Sequence, residues 1–435
     1  MQNDRKKDKN TNRTFREQSY VEKEIEKIFK ISEFDIRNPD KFEKDIEYER
    51  EKHFNFAKKM IYRLPGGYSQ LDAGMPWFSY WVLNILDMCS DKKIELSYTN
   101  KIKFVNYLKE LQHEEGGFSG YAKGIPHVVS NYAAIMALIA LDFKEGYDIV
   151  DREKMKIFLK KMKNNNINNR DKSHGYILDK TGNFVIDKKS DNKCTNFITN
   201  TPGSFQMHKN GESDLRATYC ALTVAYVLNI LDDELIEGVV DNIKLCQTFE
   251  GGLGPEPFCE AHGGYSYCGI ATLALLNKLD AIDVERFILW LVNRQMKVEG
   301  GFQGRTNKLV DSCYSFWQAS IFNLLILNGN EARFSYDNEL LYDQLALQAY
   351  ILFACQINEG GLVDKPGKSP DLFHTNYATA GLALSRKSLL KDLDNNEYDV
   401  TLTYNESMEF DQINPIFCVS DEKVKKATNY YWNLK

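Results

Sequence analysis

The stretch that decides the fold is Gly300–Trp317, which reads GGFQGRTNKLVDSCYSFW. It opens on a Gly-Gly pair, continues through a polar loop, and ends where an apolar helix begins. The loop carries two cations, Arg305 and Lys308, and closes on a carboxylate and a thiol, Asp311 and Cys313. A hard and a soft metal ligand beside two cations indicate a site that handles both a metal and an anion.

The same succession of Gly-Gly, polar loop and apolar helix recurs along the chain. Further copies are LQHEEGGFSG at 111–120, QTFEGGLGPE at 247–256 and CQINEGGLVD at 355–364, with a weaker TPGSFQMH at 201–208. The helices that follow are predicted at 75–88, 130–141, 215–231, 267–279, 313–327 and 374–385. Gly203, Gly252 and Gly301 lie 49 residues apart, and Gly361 follows 60 residues later. Such periods predict stacked units of two helices each.

The second helix of each unit is apolar on nearly all faces and rich in Ala, Gly, Ser and Cys, which is typical of a buried helix. The first helices, such as those around 107–114 and 158–166, carry charges and are expected outside. We therefore predict an all-α fold, a double-walled α/α toroid of about six helical hairpins. The Gly-Gly turns would place the start of every inner helix at one mouth of the barrel.

Three further regions follow from composition. Residues 1–60 are rich in Lys, Glu and Asp, and we predict a charged, partly helical arm without a catalytic role. Residues 61–390 form the predicted catalytic toroid, interrupted at about 164–200 by an inserted Asn/Lys-rich polar loop. Residues 391–435 lose the repeat pattern and are predicted to form a C-terminal strap or tail.

The bulk composition excludes several classes of protein. The net charge of −6 and the pI of about 5.8 argue against a nucleic-acid binder, which is normally basic. No apolar run approaches the roughly 18 residues of a membrane span, and no apolar segment follows the charged N-terminus to make a secretory signal. The nine cysteines are odd in number and form no CxxC pair, which is typical of reduced thiols. We expect a cytoplasmic protein.

The spacing of three side chains predicts a metal site. Asp311 and Cys313 are too close in sequence to share one helix face, so we expect them where the loop enters the helix, with Asp311 near the N-cap. His374 directly precedes TNYATAGLAL, and we predict that it holds the matching position in the next repeat. Successive inner helices start next to each other in a closed barrel, so the three can meet at one Zn²⁺. The alternatives are that Asp311 is only a helix cap, Cys313 only a small core residue, and His374 only a hydrogen-bonded residue at a helix start.

An anion site is predicted beside the metal. The polar donors His262, Arg305, Lys308 and Tyr314 fall in neighbouring repeat turns, with Arg216 near the same mouth. Together with the positive ends of several inner helices, they favour a diphosphate. Ordinary surface charges are the alternative. Aromatic residues on the inner helices suit an apolar pocket for a long hydrocarbon.

The strings GGFQGRTNKLVDSCYSFWQA, EAHGGYSYCG and GGLVDKPGKSPDLFHTNYATAGL resemble the β-subunit family of protein prenyltransferases, in particular the farnesyltransferase type. The resemblance runs from about Tyr62 to about Ser385 and implies an α/α toroid. It implies a heterodimer with a prenyltransferase α subunit, which transfers farnesyl from farnesyl diphosphate to the thiol of Cys-a-a-X protein substrates. The alternatives are a type I geranylgeranyltransferase with a C20 donor and a non-enzymatic helical-repeat scaffold. The DxDD acid of a terpene cyclase is missing.

The same resemblance implies roles for individual residues. Catalytic Zn²⁺ would be held by Asp311, Cys313 and His374, and Lys308, Tyr314 and Asp364 would complete the catalytic set, Asp364 through Mg²⁺ and the diphosphate. Diphosphate and isoprenoid contacts are implied for His262, Arg305, Lys308, Tyr314, Arg216, Tyr219, Tyr265, Cys268 and Trp317. Peptide contacts are implied for Trp77, Trp81, Phe373 and His127. Phe373 stands where the family usually has Tyr, and Trp77 and Tyr377 favour the C15 donor.

Overall fold

The computed structural model describes residues 12–38, 47–90, 96–164, 201–327, 341–386 and 409–434, together with the backbone of six short strands. Apart from two of those strands, the predicted insert at about 164–200 lies almost wholly outside the described residues. The first part of the predicted C-terminal strap lies outside them as well.

Helices make up most of the described chain. In chain order they are α1 (Arg13–Ile31), α2 (Arg50–Tyr62), α3 (Met75–Met88), α4 (Tyr98–Leu111), α5 (Val128–Leu141), α6 (Lys144–Tyr147), α7 (Arg152–Met162), α8 (Leu215–Val227), α9 (Asp233–Ile236), α10 (Val239–Leu245), α11 (Gly263–Leu275), α12 (Val284–Val292), α13 (Tyr314–Leu327), α14 (Gln344–Ala349), α15 (Leu372–Arg386) and α16 (Asp421–Trp432). Short 3-10 turns cover Gly66–Gly74 and Leu279–Ala281, and a π-helical turn, Tyr350–Cys355, continues α14. Within these ranges, none of the helices combines the length and apolar character that crossing a bilayer demands.

The strands form three separate antiparallel pairs. They are β1 (Tyr176–Leu178) with β2 (Phe184–Ile186), β3 (Ser335–Tyr336) with β4 (Glu339–Leu340), and β5 (Lys387–Lys391) with β6 (Glu397–Asp399). In register, Tyr176 lies opposite Ile186, Ser335 opposite Leu340, and Lys387 opposite Asp399.

Six helices, α3, α5, α8, α11, α13 and α15, form a closed inner wall. Each packs against the next, and α15 packs back against α3. Most side chains of these helices are buried, which explains why they are apolar or small on nearly all faces. The predicted α/α toroid is therefore confirmed, and the predicted inner helices are observed to within a few residues at either end.

The helix start that differs most from its prediction is that of α11, which lies four residues earlier, at Gly263. The N–H of Gly263 donates to the carbonyl of Gly304 at 2.7 Å. A Cβ on Gly263 would lie 2.4 Å from Nε2 of Gln318 on α13. Gly263 is thus a point of close approach between two inner helices. From the sequence alone, a glycine at this position suggests a loop rather than the start of a helix.

The Gly-Gly turns hold the outer helices α2, α4, α7, α10, α12 and α14 together. Gly300 has a φ of +80°, and a Cβ there would lie 2.4 Å from the carbonyl oxygen of Ala346 in α14. The other equivalent pairs are Gly116 with Lys154, Gly203 with Gly238, Gly251 with Arg286, and Gly360 with Lys52. Because Lys52 belongs to α2, the last turn meets the first outer helix, and the outer wall closes too. The domain limits predicted from the sequence place most of α2 in the N-terminal arm rather than in the toroid. Those limits stay a prediction.

A glutamine before four of these turns binds the backbone at the start of the next outer helix. Gln295 donates to the carbonyl of Asp343 at 2.8 Å and accepts the N–H of the same residue at 2.8 Å. The corresponding pairs are Gln112 with Ile149 and Asp151, Gln247 with Asp283, and Gln356 with Glu47 and Glu49. Four of the five turns are therefore joined to the next outer helix by the same reciprocal hydrogen bonds.

The C-terminal residues cross one end of the ring. Hydroxyls of inner-helix tyrosines donate to consecutive carbonyls there: Tyr80 to Cys418 at 2.9 Å, Tyr132 to Phe417 at 3.0 Å, and Tyr219 and Tyr267 to Ile416 at 2.5 and 2.7 Å. Helix α16 lies over the C-terminal ends of α3, α5 and α8, where Lys423 donates to the carbonyl of Ala140. The N-terminal ends of the inner helices are left to form the open mouth.

Candidate active site at the open mouth

Five of the six inner helices are capped by a side chain at the same place in their repeats; the exception is α3, which follows Gly74. The cap residues whose side chains accept an N–H of the first turn are His127, Asp214, His262, Asp311 and Asp371. In Asp311 the acceptor is Oδ1, and the donor is the N–H of Cys313 at 2.9 Å. The expectation that Asp311 lies near an N-cap is therefore met.

Three potential metal ligands converge between α13 and α15. The ligand atoms of Asp311, Cys313 and His374 all lie within 4.8 Å of one another. His374 Nε2 is 3.4 Å from Asp311 Oδ1, and the Cys313 side chain is buried beside them. A carboxylate, a thiol and an imidazole at this spacing fit a divalent ion such as Zn²⁺, with one further position for another ligand. The bound ion itself stays a prediction.

The structure corrects the place of His374 in its repeat. His374 lies three residues after the cap Asp371, as Tyr314 lies three residues after the cap Asp311. The counterpart of Asp311 is therefore Asp371. Its carboxylate accepts the N–H of His374 at 2.8 Å and the ring Nδ1–H at 2.7 Å, which turns Nε2 toward Asp311. Carboxylates commonly orient metal-binding histidines in this way. Sequence reasoning missed Asp371, although the spacing D-x-x-H was visible.

The protonation of the cluster follows from burial and from its two carboxylates. Burial lowers the pKa of His374, but hydrogen bonds to Asp311 and Asp371 outweigh burial and raise the pKa to about 9. Burial raises the pKa of the Cys313 thiol, and the neighbouring Asp311 carboxylate raises it further. The imidazole proton and the thiol proton are thus the two that a bound divalent cation would have to displace.

His262 enters the site as a neutral donor. Its Nδ1 accepts the N–H of Gly264 at 3.0 Å, which leaves the ring proton on Nε2, 3.1 Å from the hydroxyl oxygen of Tyr314. Burial, and then the charge of Arg305, lower the pKa of His262 to about 4. The neutral ring therefore donates to Tyr314, and the hydroxyl proton of Tyr314 is left for another acceptor.

The two arginines near the mouth are held by carboxylates that sequence reasoning missed. Arg305 pairs with Glu260 at 2.9 Å, and Arg216 pairs with Asp214 at 2.6 Å. Lys308 is exposed on the same loop as Arg305. These carboxylates fix where the guanidinium groups point, so the cations are arranged before any anion arrives.

An aromatic wall adjoins the metal ligands. The Phe373 ring lies 4.9 Å from the His374 ring, 5.5 Å from Trp317 and 5.6 Å from Trp81. Trp77 continues the wall, 5.6 Å from Trp81. All four aromatic residues are half-buried, so the wall presents apolar surface beside the polar cluster. The structure thus brings three of the predicted peptide contacts together with the predicted isoprenoid contact Trp317.

The other predicted isoprenoid contacts lie at different depths. Tyr265 is half-buried, 5.3 Å from the ring of His262 and 5.4 Å under the guanidinium of Arg216. Cys268 is buried further along the same helix, and burial raises its pKa. Tyr219 is buried in the second turn of α8, and its hydroxyl donates to the carbonyl of Ile416 in the C-terminal segment.

His127 and Asp364 lie at the rim. His127 caps α5, and its ring lies 5.5 Å from that of His208. The carbonyl of Asp364 accepts the N–H of Ser312 at 2.9 Å, and its carboxylate is ion-paired with Lys365. A Mg²⁺ ion at Asp364 would share that carboxylate with Lys365, and both rim residues keep their roles as predictions.

Known proteins resemble the chain in both sequence and fold. The model of the prenyltransferase alpha-alpha toroid domain matches residues 48–177 and 177–419. Protein farnesyltransferase subunit beta of Arabidopsis thaliana is 34% identical over 433 residues, which cover 87% of this chain and 81% of the relative. Geranylgeranyl transferase type-1 subunit beta of the same plant is 36% identical over only 44% of this chain and 51% of its own length.

The fold has a counterpart among solved structures. The structure titled Candida albicans protein geranylgeranyltransferase-I complexed with GGPP superposes with a TM-score of 0.66 at 21% identity. The match covers 89% of this chain and 100% of that one, and it supports the toroid independently of sequence. On the extent of these matches, the chain belongs to the prenyltransferase α-α toroid family, among the β subunits of protein farnesyltransferase.

Proposed function

We propose that this chain is the catalytic subunit of a zinc-dependent protein farnesyltransferase, working as a heterodimer with an α subunit. Its substrates would be farnesyl diphosphate and the cysteine of a C-terminal Cys-a-a-X sequence. The observation that carries the proposal is the convergence of Asp311, Cys313 and His374 beside the Tyr314–His262 pair, in a chain of this family. A cytoplasmic location is part of the proposal, and it is supported by the eight cysteines among the described residues, all of which are unpaired.

The proposed reaction forms one bond and breaks another. Zinc held by Asp311, Cys313 and His374 would keep the substrate cysteine as a thiolate at neutral pH. The new bond joins that sulfur to carbon 1 of the farnesyl group. The bond between this carbon and the diphosphate oxygen breaks, diphosphate leaves with the electron pair, and the thiol proton is lost to solvent.

The leaving diphosphate would be stabilised by donors that are already in place. The hydroxyl of Tyr314, with His262 donating to its oxygen, can direct its proton to a diphosphate oxygen. Arg305 and Lys308 add positive charge, and Glu260 holds Arg305 in position. A preorganised donor of this kind is worth about 3 kcal/mol in the transition state.

The aromatic wall suits the apolar parts of both substrates. Phe373 and Trp317 place apolar surface directly beside the metal ligands, where water would otherwise capture an allylic cation. The bulk of Trp77 and Tyr377 favours the C15 donor over the C20 donor. The C20 alternative would be a type I geranylgeranyltransferase.

The test uses the αβ complex, a Cys-a-a-X peptide and labelled farnesyl diphosphate, with zinc measured by elemental analysis. We expect about one zinc ion per β subunit, and its loss together with turnover in Cys313→Ala. Cys89→Ala is the matched control, since Cys89 is equally buried but lies at the closed end of α3.

Three results would count against the proposal. Wild-type zinc and turnover in Cys313→Ala would remove the metal role. A chain that binds no zinc and transfers nothing would favour the helical-repeat scaffold. A higher kcat/KM with geranylgeranyl diphosphate than with farnesyl diphosphate on one peptide would favour the C20 alternative.

A further inference from the structure

Helix α1 lies outside the residues that the toroid family model matches, which begin at residue 48. It is nevertheless packed on the last repeat. Its apolar stripe, Val21, Ile25 and Phe29, is buried, and the ring of Phe29 lies 6.2 Å from Phe353 in the π-helical turn. The sequence predicts no catalytic role for this arm, and its position raises the question of what it does there.

The N-terminal half of α1 reaches two loops that carry predicted site residues. Gln18 donates to the carboxylate of Glu299 at 2.6 Å, and Glu299 is only 1% exposed. Glu299 directly precedes the Gly-Gly turn that leads to Arg305. The hydroxyl oxygen of Tyr20 lies 3.9 Å from the point that a Cβ on Gly367 would occupy, and Gly367 has a φ of +84°.

Charge links α1 to the second of these loops, 364–368. The pKa of Glu17 is lowered first by its hydrogen bond to Arg13 and further by the charges of Lys368 and Lys365. On its other side, the loop is tied to the start of α13 through the carbonyl of Asp364. Loop 364–368 therefore lies between α1 and the candidate active site.

We propose that α1 is a positioning element of the active site, which holds loop 364–368 against the start of α13 and so strengthens binding of the diphosphate substrate. This rests on the proposed function, because it requires a diphosphate beside that loop. A loop that is already ordered adds no ordering cost to substrate binding, whereas a loose one does. Tyr20 is the residue through which α1 reaches Gly367, and Gln18 secures the adjoining turn.

The test compares full-length αβ complexes that carry Tyr20→Ala, Tyr20→Phe or the double variant Gln18→Met with Tyr20→Ala. None of these changes the net charge, so the long-range attraction of a diphosphate is the same in all. Tyr98→Ala is the matched control, because Tyr98 is an equally exposed tyrosine on the outer helix α4. Two quantities are measured: the dissociation constant of farnesyl diphosphate without peptide, and hydrogen–deuterium exchange over residues 362–371.

We expect Tyr20→Ala and the double variant to weaken farnesyl diphosphate binding by about threefold or more and to speed exchange over residues 362–371. Tyr20→Phe should give a smaller change, and Tyr98→Ala should match the wild type. Zinc content should be unchanged in every complex.

Unchanged affinity in the double variant would overturn the inference, whether or not exchange becomes faster. A lower melting temperature with intact affinity would do the same, since α1 would then only stabilise the fold. If the wild-type complex transfers no prenyl group, the proposed function fails instead. The exchange data would still show whether α1 orders the loop.

Discussion

The contact that closes the outer ring should make the protein sensitive to mild acid. At each of the five turns, the glycine touches a residue of the next outer helix or its cap, and the residue that follows this one is fully buried. Four of these residues are apolar, namely Met155, Val239, Phe287 and Leu347, and the fifth is His53 on α2. The buried position next to the contact between the last repeat and the first is thus the one among these five that holds a titratable side chain.

Both ring nitrogens of His53 are engaged in its neutral form. Nδ1 accepts the N–H of Gly361 at 2.9 Å, so the proton is on Nε2, which donates to the side-chain oxygen of Gln356 at 2.9 Å. A second proton, on Nδ1, would point at the N–H of Gly361. Burial lowers the pKa of His53 to about 4, and the hydrogen bond to Gln356 offsets this only in part.

The size of the effect follows from the gap between the folded and unfolded pKa values. The unfolded chain keeps the ordinary pKa of about 6.5, so below that pH it takes up a proton that the folded chain does not accept. The stability contributed by neutral His53 is complete above about pH 7 and is lost as the pH falls toward 4. The difference between the two pKa values corresponds to a loss of about 3 kcal/mol in the free energy of unfolding at the acid limit. Of this, about 2 kcal/mol is lost between pH 7.5 and 5.0.

The assay is urea unfolding of the αβ complex at those two pH values, for wild type and for His53→Met, which copies the residue at Met155. At pH 7.5 the variant should be less stable by roughly 1 kcal/mol, since the N–H of Gly361 loses its acceptor. On going to pH 5.0, the difference should move in favour of the variant by about 2 kcal/mol. Titration of the partner subunit and of all other groups cancels in this comparison. Parallel pH dependences for the two proteins would refute the reasoning.

Three further predictions concern the site and the turns. Asp371→Asn should lower zinc affinity by about 10- to 100-fold in chelator competition, because it weakens the bond that orients His374; unchanged affinity would show that the orientation has another source. Gly300→Ala should reduce the free energy of unfolding by about 3 kcal/mol, whereas Gly66→Ala, which meets no atom within 4 Å, should change it little; equal effects would contradict the close-contact explanation. Trp77→Ala should raise the ratio of kcat/KM for the C20 over the C15 donor by about tenfold, and an unchanged ratio would move the determinant of chain length elsewhere.

The toroid could be predicted because its signals are local. The Gly-Gly pairs and the small, apolar helices repeat in sequence, and each marks an element without reference to any other. The contact that closes the outer ring could not be predicted from such local signals. It joins Gly360, in the last turn, to Lys52, in the first outer helix. The glutamine bridges were missed for a related reason, since a single Gln such as Gln295 looks like an ordinary polar residue until its partner is known.

The candidate site was predictable where one residue type implies one chemistry. Asp311 and Cys313 could be placed at a helix start because their spacing excludes a shared helix face. The neutral state of His262 depends on burial and on the charge of Arg305, which arrives from the next repeat. The link from Tyr20 to Gly367 joins residues that are almost 350 positions apart. Such properties arise from neighbours that only the folded ring brings together.

The repeat also explains how one mouth can carry several kinds of chemistry. Five of the six inner helices have a side-chain cap, and such a cap needs only an acceptor for an N–H of the first turn. Asp and His both satisfy that need, so the cap positions vary without loss of the fold, and Asp311 serves as a cap while presenting its carboxylate to Cys313 and His374. Because a closed ring brings all its caps to one end, changing a few of them suffices to assemble a metal site beside an anion site.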